Sequence, residues 1–290
     1  MTTFVTFGDG SRDFRAAGRR IARQAARTKI FDTISRYDYA RLKSDHPDYW
    51  RQHRDFILGH RRGGGYWIWK SFIIHTVLSG MKEDDVLLYS DAGCEIDNRL
   101  MEGFSKIHPG DCDMTLFELE GHSNEAWTHA LTLKALGVNQ EIGKLDQLVG
   151  TVLLIKNTSS SRSLVQEWMR LCHSFGYALV IDLKGDRRSV LREHRHDQSI
   201  LSLLARQRVM SGACRINIQS INFIDWDGGG LLACRNKGGY SLAEQSSFMF
   251  KYIRKFDILL RKFLPSENRY FAWLRRDEGQ GDRRQTSPDH

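Results

Sequence analysis

The chain has 290 residues, enough for one large α/β domain with its own core, and its 41% apolar and 27% charged residues exclude a wholly disordered or fibrous protein. No apolar run reaches the roughly 18 residues that cross a bilayer, and the N-terminus has no basic segment followed by an apolar one, so neither a spanning helix nor a secretion signal is expected. The formal charge of +8 asks for an anionic partner, with nucleic acid, anionic lipid and a nucleotide diphosphate all fitting, while the five cysteines, odd in number and without a C-x-x-C pair, fit buried free thiols in a reducing compartment.

In chain order, "TTFVTFGDGSRDF" reads as a first strand over Thr3 to Phe7, broken by Gly8-Asp9-Gly10. A helix follows from Ser11 to Thr28. At about 100° per residue, Phe14, Ala17, Ile21 and Ala25 share one face, and Arg12, Arg15, Arg19, Arg23 and Arg27 form a cationic stripe on the other. "KIFDTISRYD" suits a second strand, and strand, helix, strand in succession predicts a mostly parallel, doubly wound sheet flanked by helices. Residues 37–60 are polar and aromatic, as in short helices and loops. "RRGGGYWIWKSFIIHTVLSG" supplies a glycine-rich turn and a helix expected to face the sheet with Phe72, Ile73, Thr76 and Val77.

"DDVLLYSD" is the clearest strand, short, apolar and bounded by charge. "CDMTLFEL" and "LVGTVLLIKNT" are strand-like, and "SRSLVQEWMRLCHSF" is an amphipathic helix. "RHDQSILSLLARQR" is a helix with a polar head, and "RINIQSINFIDWDGGG" a strand entering a glycine turn. The expected organisation is a domain over residues 1–245 and a basic amphipathic helix with a disordered tail over 246–290. That last helix sets Met249, Tyr252, Ile253, Phe256, Leu260 and Phe263 against Lys251, Arg254, Lys255, Arg261 and Lys262, a pattern that suits an anionic membrane surface or a packed interface.

The apolar strand that ends on Asp91 raises the functional question. In open α/β sheets ligands gather beyond the carboxyl ends of the strands, and a carboxylate there suits Mg²⁺ or Mn²⁺ bridging to phosphate. The order "FVTFGDG", "GYWIWKSFII", "VLLYSDAGCEI", "VGTVLLIKN" and "HRHDQSILSLL" resembles the GT-A class of nucleotide-sugar glycosyltransferases, closest to bacterial enzymes of surface-polysaccharide assembly and more distantly to the glycogenin and lipooligosaccharide-galactosyltransferase group. The resemblance spans residues 3–205.

That resemblance implies a GT-A-like fold and transfer of a sugar from a UDP- or GDP-linked donor to a polysaccharide or lipid-linked saccharide, in the cytoplasm or on the inner face of its membrane. It implies that Phe7, Gly8 and Asp9 meet the nucleotide, that Arg61, Lys70, Asp91, Ala92, Gly93 and His196 meet the diphosphate or donor sugar, and that Asp197 and Gln198 carry the chemistry. Asp146, Gln147 and Gly150 would line the acceptor side. Asp91 matches the first aspartate of the family's Asp-x-Asp metal motif, but Gly93 stands where the second belongs. Glu95, Asp97 or the later Asp227 of "DWD" would have to complete a site for Mn²⁺ or Mg²⁺. Two other classes compete with this reading. One is a non-catalytic sugar-nucleotide-binding scaffold, suggested by Gly93. The other is a basic nucleic-acid-binding protein, which lacks a glycine-aromatic RNA motif, a zinc spacing or a helix-turn-helix pattern, so nucleic acid is not expected as the partner.

Overall fold

The computed structural model describes residues 1–183, 185–186, 188–221, 230–246 and 274. Its elements run β1 (Thr2–Phe7), α1 (Arg12–Thr28), β2 (Thr33–Tyr37), α2 (Tyr39–Asp45), α3 (Pro47–Gly59), a short irregular turn α4 (Gly63–Tyr66), α5 (Ile68–Ser79), β3 (Val86–Ser90), β4 (Glu95–Ile96), α6 (Leu100–Ile107) and β5 (Met114–Ser123). They continue with α7 (Ala130–Ala135), α8 (Gln140–Lys144), β6 (Asp146–Leu148), β7 (Val152–Lys156), α9 (Ser159–His173), α10 (His196–Met210), β8 (Ile216–Ser220), β9 (Leu231–Leu232) and α11 (Leu242–Ser246).

Strands that read as continuous apolar runs are buried on both faces, because successive side chains point to opposite sides of the sheet. In β1, Phe4 joins one apolar cluster while Val5 and Phe7 join the other; in β3, Leu88 opposes Leu87 and Tyr89; in β7, Val152 and Leu154 oppose Leu153 and Ile155. The side of Phe4 is covered by Ile21 and Ala25 of α1 and by Leu100 and Ile107 of α6. The opposite side is covered by α3, α5, α9 and α10 through Ile57, Ile73, Trp168 and Leu201, among others.

The main sheet has the order β2-β1-β3-β7-β5-β6, with β8 also on β5. β1 is parallel to β2 and β3, β7 is antiparallel to β3 and β5, β6 is antiparallel to β5, and β8 is parallel to β5. Five strands (β1, β2, β3, β5, β8) therefore point one way, and β6 and β7 point the other. This is the mostly parallel, helix-flanked α/β sheet expected from the sequence. Because β1, β3, β5 and β8 share a direction, their carboxyl ends and the start of β7 meet at one edge.

Two helix faces differ from expectation. α5 buries Ile68, Trp69, Ile73, Ile74 and Leu78, whereas Phe72 is half-buried and stacks on Tyr49 of α3 at 3.6 Å between ring centres. In α1, Phe14 is half-buried at the sheet's ligand edge, and a sixth arginine, Arg20, lies buried off the exposed stripe. Cys94, Cys172 and Cys214 are buried and all five thiols are free. No helix among the described residues is long and apolar enough to cross a membrane. Most of residues 246–290 lie outside the described ones; Leu274 is buried, and its carbonyl accepts the Trp50 indole N–H at 3.1 Å.

Candidate functional site

A cleft of about 800 Å³ opens at the edge where β1, β3, β5 and β8 end. Three local structures shape it. The chain leaves β3 directly into the turn Asp91-Ala92-Gly93-Cys94, closed by a bond from Cys94 N–H to the Asp91 carbonyl at 3.0 Å. Before α5, Gly63, Gly64 and Gly65 all hold positive φ, and a Cβ on Gly64 would stand 1.8 Å from the Tyr39 hydroxyl oxygen, so a side chain there would be both strained and obstructed. Finally, α10 begins at the cleft, so the positive end of its backbone dipole faces inward.

Lys70 lies in the first turn of α5 and is 3% exposed. Its ammonium donates to the Gly150 carbonyl at 2.9 Å, lies 3.1 Å from Asp91 Oδ1 and 3.6 Å from Asp197 Oδ2. Burial alone would lower its pKa, but the two carboxylates outweigh burial and hold it above the usual lysine value. Asp91 Oδ1 also accepts the Tyr89 hydroxyl at 2.7 Å. Asp197, at the start of α10, is 2% exposed, and its backbone carbonyl is held by the buried Trp168 indole at 2.9 Å. Burial pushes the Asp197 carboxyl up to about 7, with Lys70 opposing the rise and Asp91 adding to it. Among the described residues its Oδ2 has no hydrogen-bond partner, a costly state for a buried oxygen that a ligand donor or a shared proton would relieve.

Gln198 is used at both ends: Oε1 accepts Gly150 N–H at 3.1 Å and Nε2 donates to Gln147 Oε1 at 3.0 Å. Gln147 is fully buried behind it, donating to the Trp127 carbonyl and the Ser199 hydroxyl. His196 presents Nδ1 to the Val180 carbonyl at 2.6 Å, and burial lowers its pKa to about 4, so the ring is neutral with its proton on Nδ1. Its buried Nε2 is then an acceptor without a hydrogen-bond partner among the described residues.

Of the residues singled out from sequence, Phe7, Asp9, Arg61, Lys70, Asp91, Ala92, Gly93, Gly150, His196, Asp197 and Gln198 line this one cleft. Gly8 lies beneath it, packed on Gly18 of α1. Asp9 is 7% exposed and builds the rim, accepting Gly10 N–H, Tyr39 N–H and the Arg15 guanidinium. Asp146 does not line the cleft; its carboxylate accepts Gly121 N–H within the β5–β6 pairing. Asp227 lies outside the described residues.

Reading the sequence alone missed Arg195, which stacks over Trp127 at 4.2 Å, and Arg235 and Lys237 on the far rim. Arg61, Arg195, Arg235 and Lys237 make no ion pair with a carboxylate among the described residues, whereas Arg62 pairs with Glu193. The sequence signal for these cations was only the net charge; their convergence depends on the fold.

The carboxylates near the Asp91 turn do not fit a divalent ion. Glu95 turns away to accept Asn236 Nδ2 at 2.5 Å and Leu242 N–H at 2.8 Å, and Asp97 pairs with Arg99 at 2.5 Å. Asp91 keeps Lys70 as its cation, and no cluster of three His, Cys, Asp or Glu suited to a metal is present among the described residues.

Solved structures similar to this chain include the apo form of mouse xyloside xylosyltransferase 1, 11% identical over 77% of this chain and 86% of that one with a TM-score of 0.39. A glycosyltransferase involved in glycosylation of the major capsid of PBCV-1 is 10% identical over 76% and 82%, with a TM-score of 0.42. The galactosyltransferase LgtC in complex with donor and acceptor sugar analogues is 14% identical over 75% and 73%, with a TM-score of 0.36. No protein-family model and no curated protein matches the chain. At TM-scores below 0.5 these likenesses carry no weight for activity, which has to be read from the cleft itself.

Proposed function

We propose that this protein transfers a sugar from a nucleoside-diphosphate sugar to a saccharide acceptor. The observation that carries the reading is the buried Lys70 ammonium, held 3.1 Å from Asp91 and 3.6 Å from Asp197 at the carboxyl-end edge of the sheet, within a cleft rimmed by Arg61, Arg195, Arg235 and Lys237. A leaving nucleoside diphosphate carries about two to three negative charges, and fixed cations placed where that charge develops lower the barrier to breaking the glycosidic bond.

In this reading Phe7, Gly8 and Asp9 form the nucleotide end, with Phe7 stacked on Trp69 at 3.8 Å. Arg61, Lys70 and the Asp91-Ala92-Gly93 turn surround the diphosphate. Ionised Asp197 takes the acceptor proton if configuration inverts, or stabilises the developing oxocarbenium ion if it is retained. Gln198, committed to Gly150 and Gln147, keeps the acceptor side in register, and Asp146 supports that side through β6. The His196 Nε2 lone pair accepts a sugar hydroxyl. The donor is UDP- or GDP-linked, and the acceptor is a growing polysaccharide or lipid-linked saccharide met in the cytoplasm at an anionic membrane surface. Binding to that surface is assigned to residues 246–290. Mn²⁺ or Mg²⁺, implied by the family resemblance, would need Asp227 beside Asp91; no step here is routed through an ion.

Purified full-length protein incubated with a panel of UDP- and GDP-sugars, with Mn²⁺, Mg²⁺ or EDTA, tests the reading by mass spectrometry of donor hydrolysis and transfer. At least one donor should be consumed, with Asp91→Ala and Asp197→Ala slowing consumption about 100-fold or more. Consumption of none of them would defeat the enzymatic reading; tight donor binding without turnover would support a scaffold instead.

A further inference from the structure

In the sugar-transfer reading the diphosphate needs a counter-charge, and the segment crossing the Asp91 turn supplies one. β9 pairs antiparallel with β4, Leu232 opposite Glu95 and Leu231 opposite Ile96, which lays residues 231–238 along the turn that ends β3. Asn236 N–H donates to the Gly93 carbonyl at 2.8 Å. A Cβ on Gly93 would stand 3.5 Å from Arg235 Cα and 3.7 Å from its carbonyl carbon, ordinary packing distances that place the Arg235 backbone directly against the turn. The chain that carries Arg235 thus packs against the position where a second aspartate would stand.

That segment is fastened from below by Arg20. Its Nη2 donates to the carbonyls of Ala92 at 3.0 Å, Cys94 at 2.9 Å and Asn236 at 3.1 Å, and its Nη1 donates to the Gly238 carbonyl. One buried guanidinium therefore ties the Asp91 turn to the 236–238 loop, and the Glu95 contacts to Asn236 and Leu242 reinforce it from the other side. So fastened, the loop sets Arg235 and Lys237, both exposed, on the cleft wall next to Asp91. Arg235 holds φ at +55°, a conformation that L side chains seldom adopt, and it sits close enough to Arg195 for each to repel the other. Like-charge crowding on a cleft wall is relieved by an anion bound between the cations.

We propose that Arg235 and Lys237, docked over Gly93 by Arg20, take the place of a divalent ion on the donor diphosphate, so that nucleoside diphosphate binding by this protein is independent of metal. The inference rests on the sugar-transfer reading. It also explains why the turn can spare its second carboxylate: beside two cations and the Lys70 ammonium, a further dication would meet repulsion with only the Lys70-paired Asp91 carboxylate at the turn to offset it.

Isothermal titration of the full-length protein with UDP and with GDP, each in EDTA, Mn²⁺ and Mg²⁺, tests this without relying on turnover. At least one nucleoside diphosphate should bind in EDTA, with affinity changed less than about threefold by either ion. Arg235→Ala and Lys237→Ala should each weaken that binding about tenfold, while the parent nucleoside binds unchanged and Arg235→Lys recovers part of the loss. Because both side chains are exposed, both variants should melt with the wild type. Binding that requires Mn²⁺ or Mg²⁺, or full affinity in EDTA for both alanine variants, would overturn the metal-independent site while leaving sugar transfer standing. No binding of UDP or GDP under any condition would overturn both.

Discussion

The Lys70 ammonium stands 3.1 Å from Asp91 Oδ1, joining the first turn of α5 to the end of β3 inside the protein. Asp197, 3.6 Å away on α10, completes a triad of one cation and two carboxylates drawn from three elements. Lys70 and Asp197 are almost fully enclosed, so neither charge can be replaced by solvent when its partner is removed.

Lys70→Met is therefore expected to destabilise the fold by about 3 kcal/mol, the usual cost of leaving buried charge without its partner. Urea denaturation of wild type and variant measures it. The cost should shrink at lower pH, where Asp197 protonates and the uncompensated charge disappears. Equal stability at neutral pH would mean that the triad is solvated.

Catalysis should follow the ionisation of Asp197. Burial raises this carboxyl to about 7, and both roles open to it need the charged form, so kcat/KM should rise with pH through an apparent pKa near 7 and level off above it. Asp197→Asn should remove that limb along with most of the rate. Lys70→Met, by withdrawing the favourable charge, should move the limb of the residual activity to higher pH. A wild-type profile flat between pH 5 and 8 would contradict the assignment.

Acid should unfold the protein through its buried histidines. Burial lowers His53 and His196 to about 4 and His194 to about 3. Neighbouring histidines add to the lowering at His53 and His194, and Arg62 adds to it at His196. The unfolded chain takes up these protons near pH 6.5, whereas the folded chain refuses them until pH 4 or below. The stability these neutral rings contribute is thus present above pH 6.5 and is lost as pH falls towards 4. The melting temperature should drop steadily over that window, and His194→Gln should flatten the drop. No change between pH 7 and 5 would contradict it.

Legibility of the sequence ended where contacts became non-local. β1, β3 and β7 were readable because burial on both faces leaves an unbroken apolar run, and α1 was readable because its apolar positions recur at helical spacing. The insertion of antiparallel β7 between β3 and β5 leaves no mark in local pattern, since a doubly buried strand looks alike in either direction. Phe72 was assigned to the sheet by its wheel position, yet Tyr49 from α3 offered it a stacking partner. Asp91, Lys70 and Asp197 were singled out through motif order, and the fold brings them together. Arg20, Arg235 and Lys237 were missed because an arginine among arginines on α1, and two cations in a glycine-rich stretch, acquire meaning only when β9 pairs with β4. The same pairing settles why Glu95 faces Asn236 rather than the cleft.

The central claim is that the cleft beside Asp91 receives the diphosphate of a sugar nucleotide. A crystal structure of the protein soaked with UDP, with GDP and with a donor that it consumes tests this most directly. The account predicts diphosphate oxygens in hydrogen-bonding contact with Arg235 or Lys237 and the sugar between Asp91 and Asp197. A nucleotide bound elsewhere, or density in this cleft with its phosphates turned out to solvent, would contradict it.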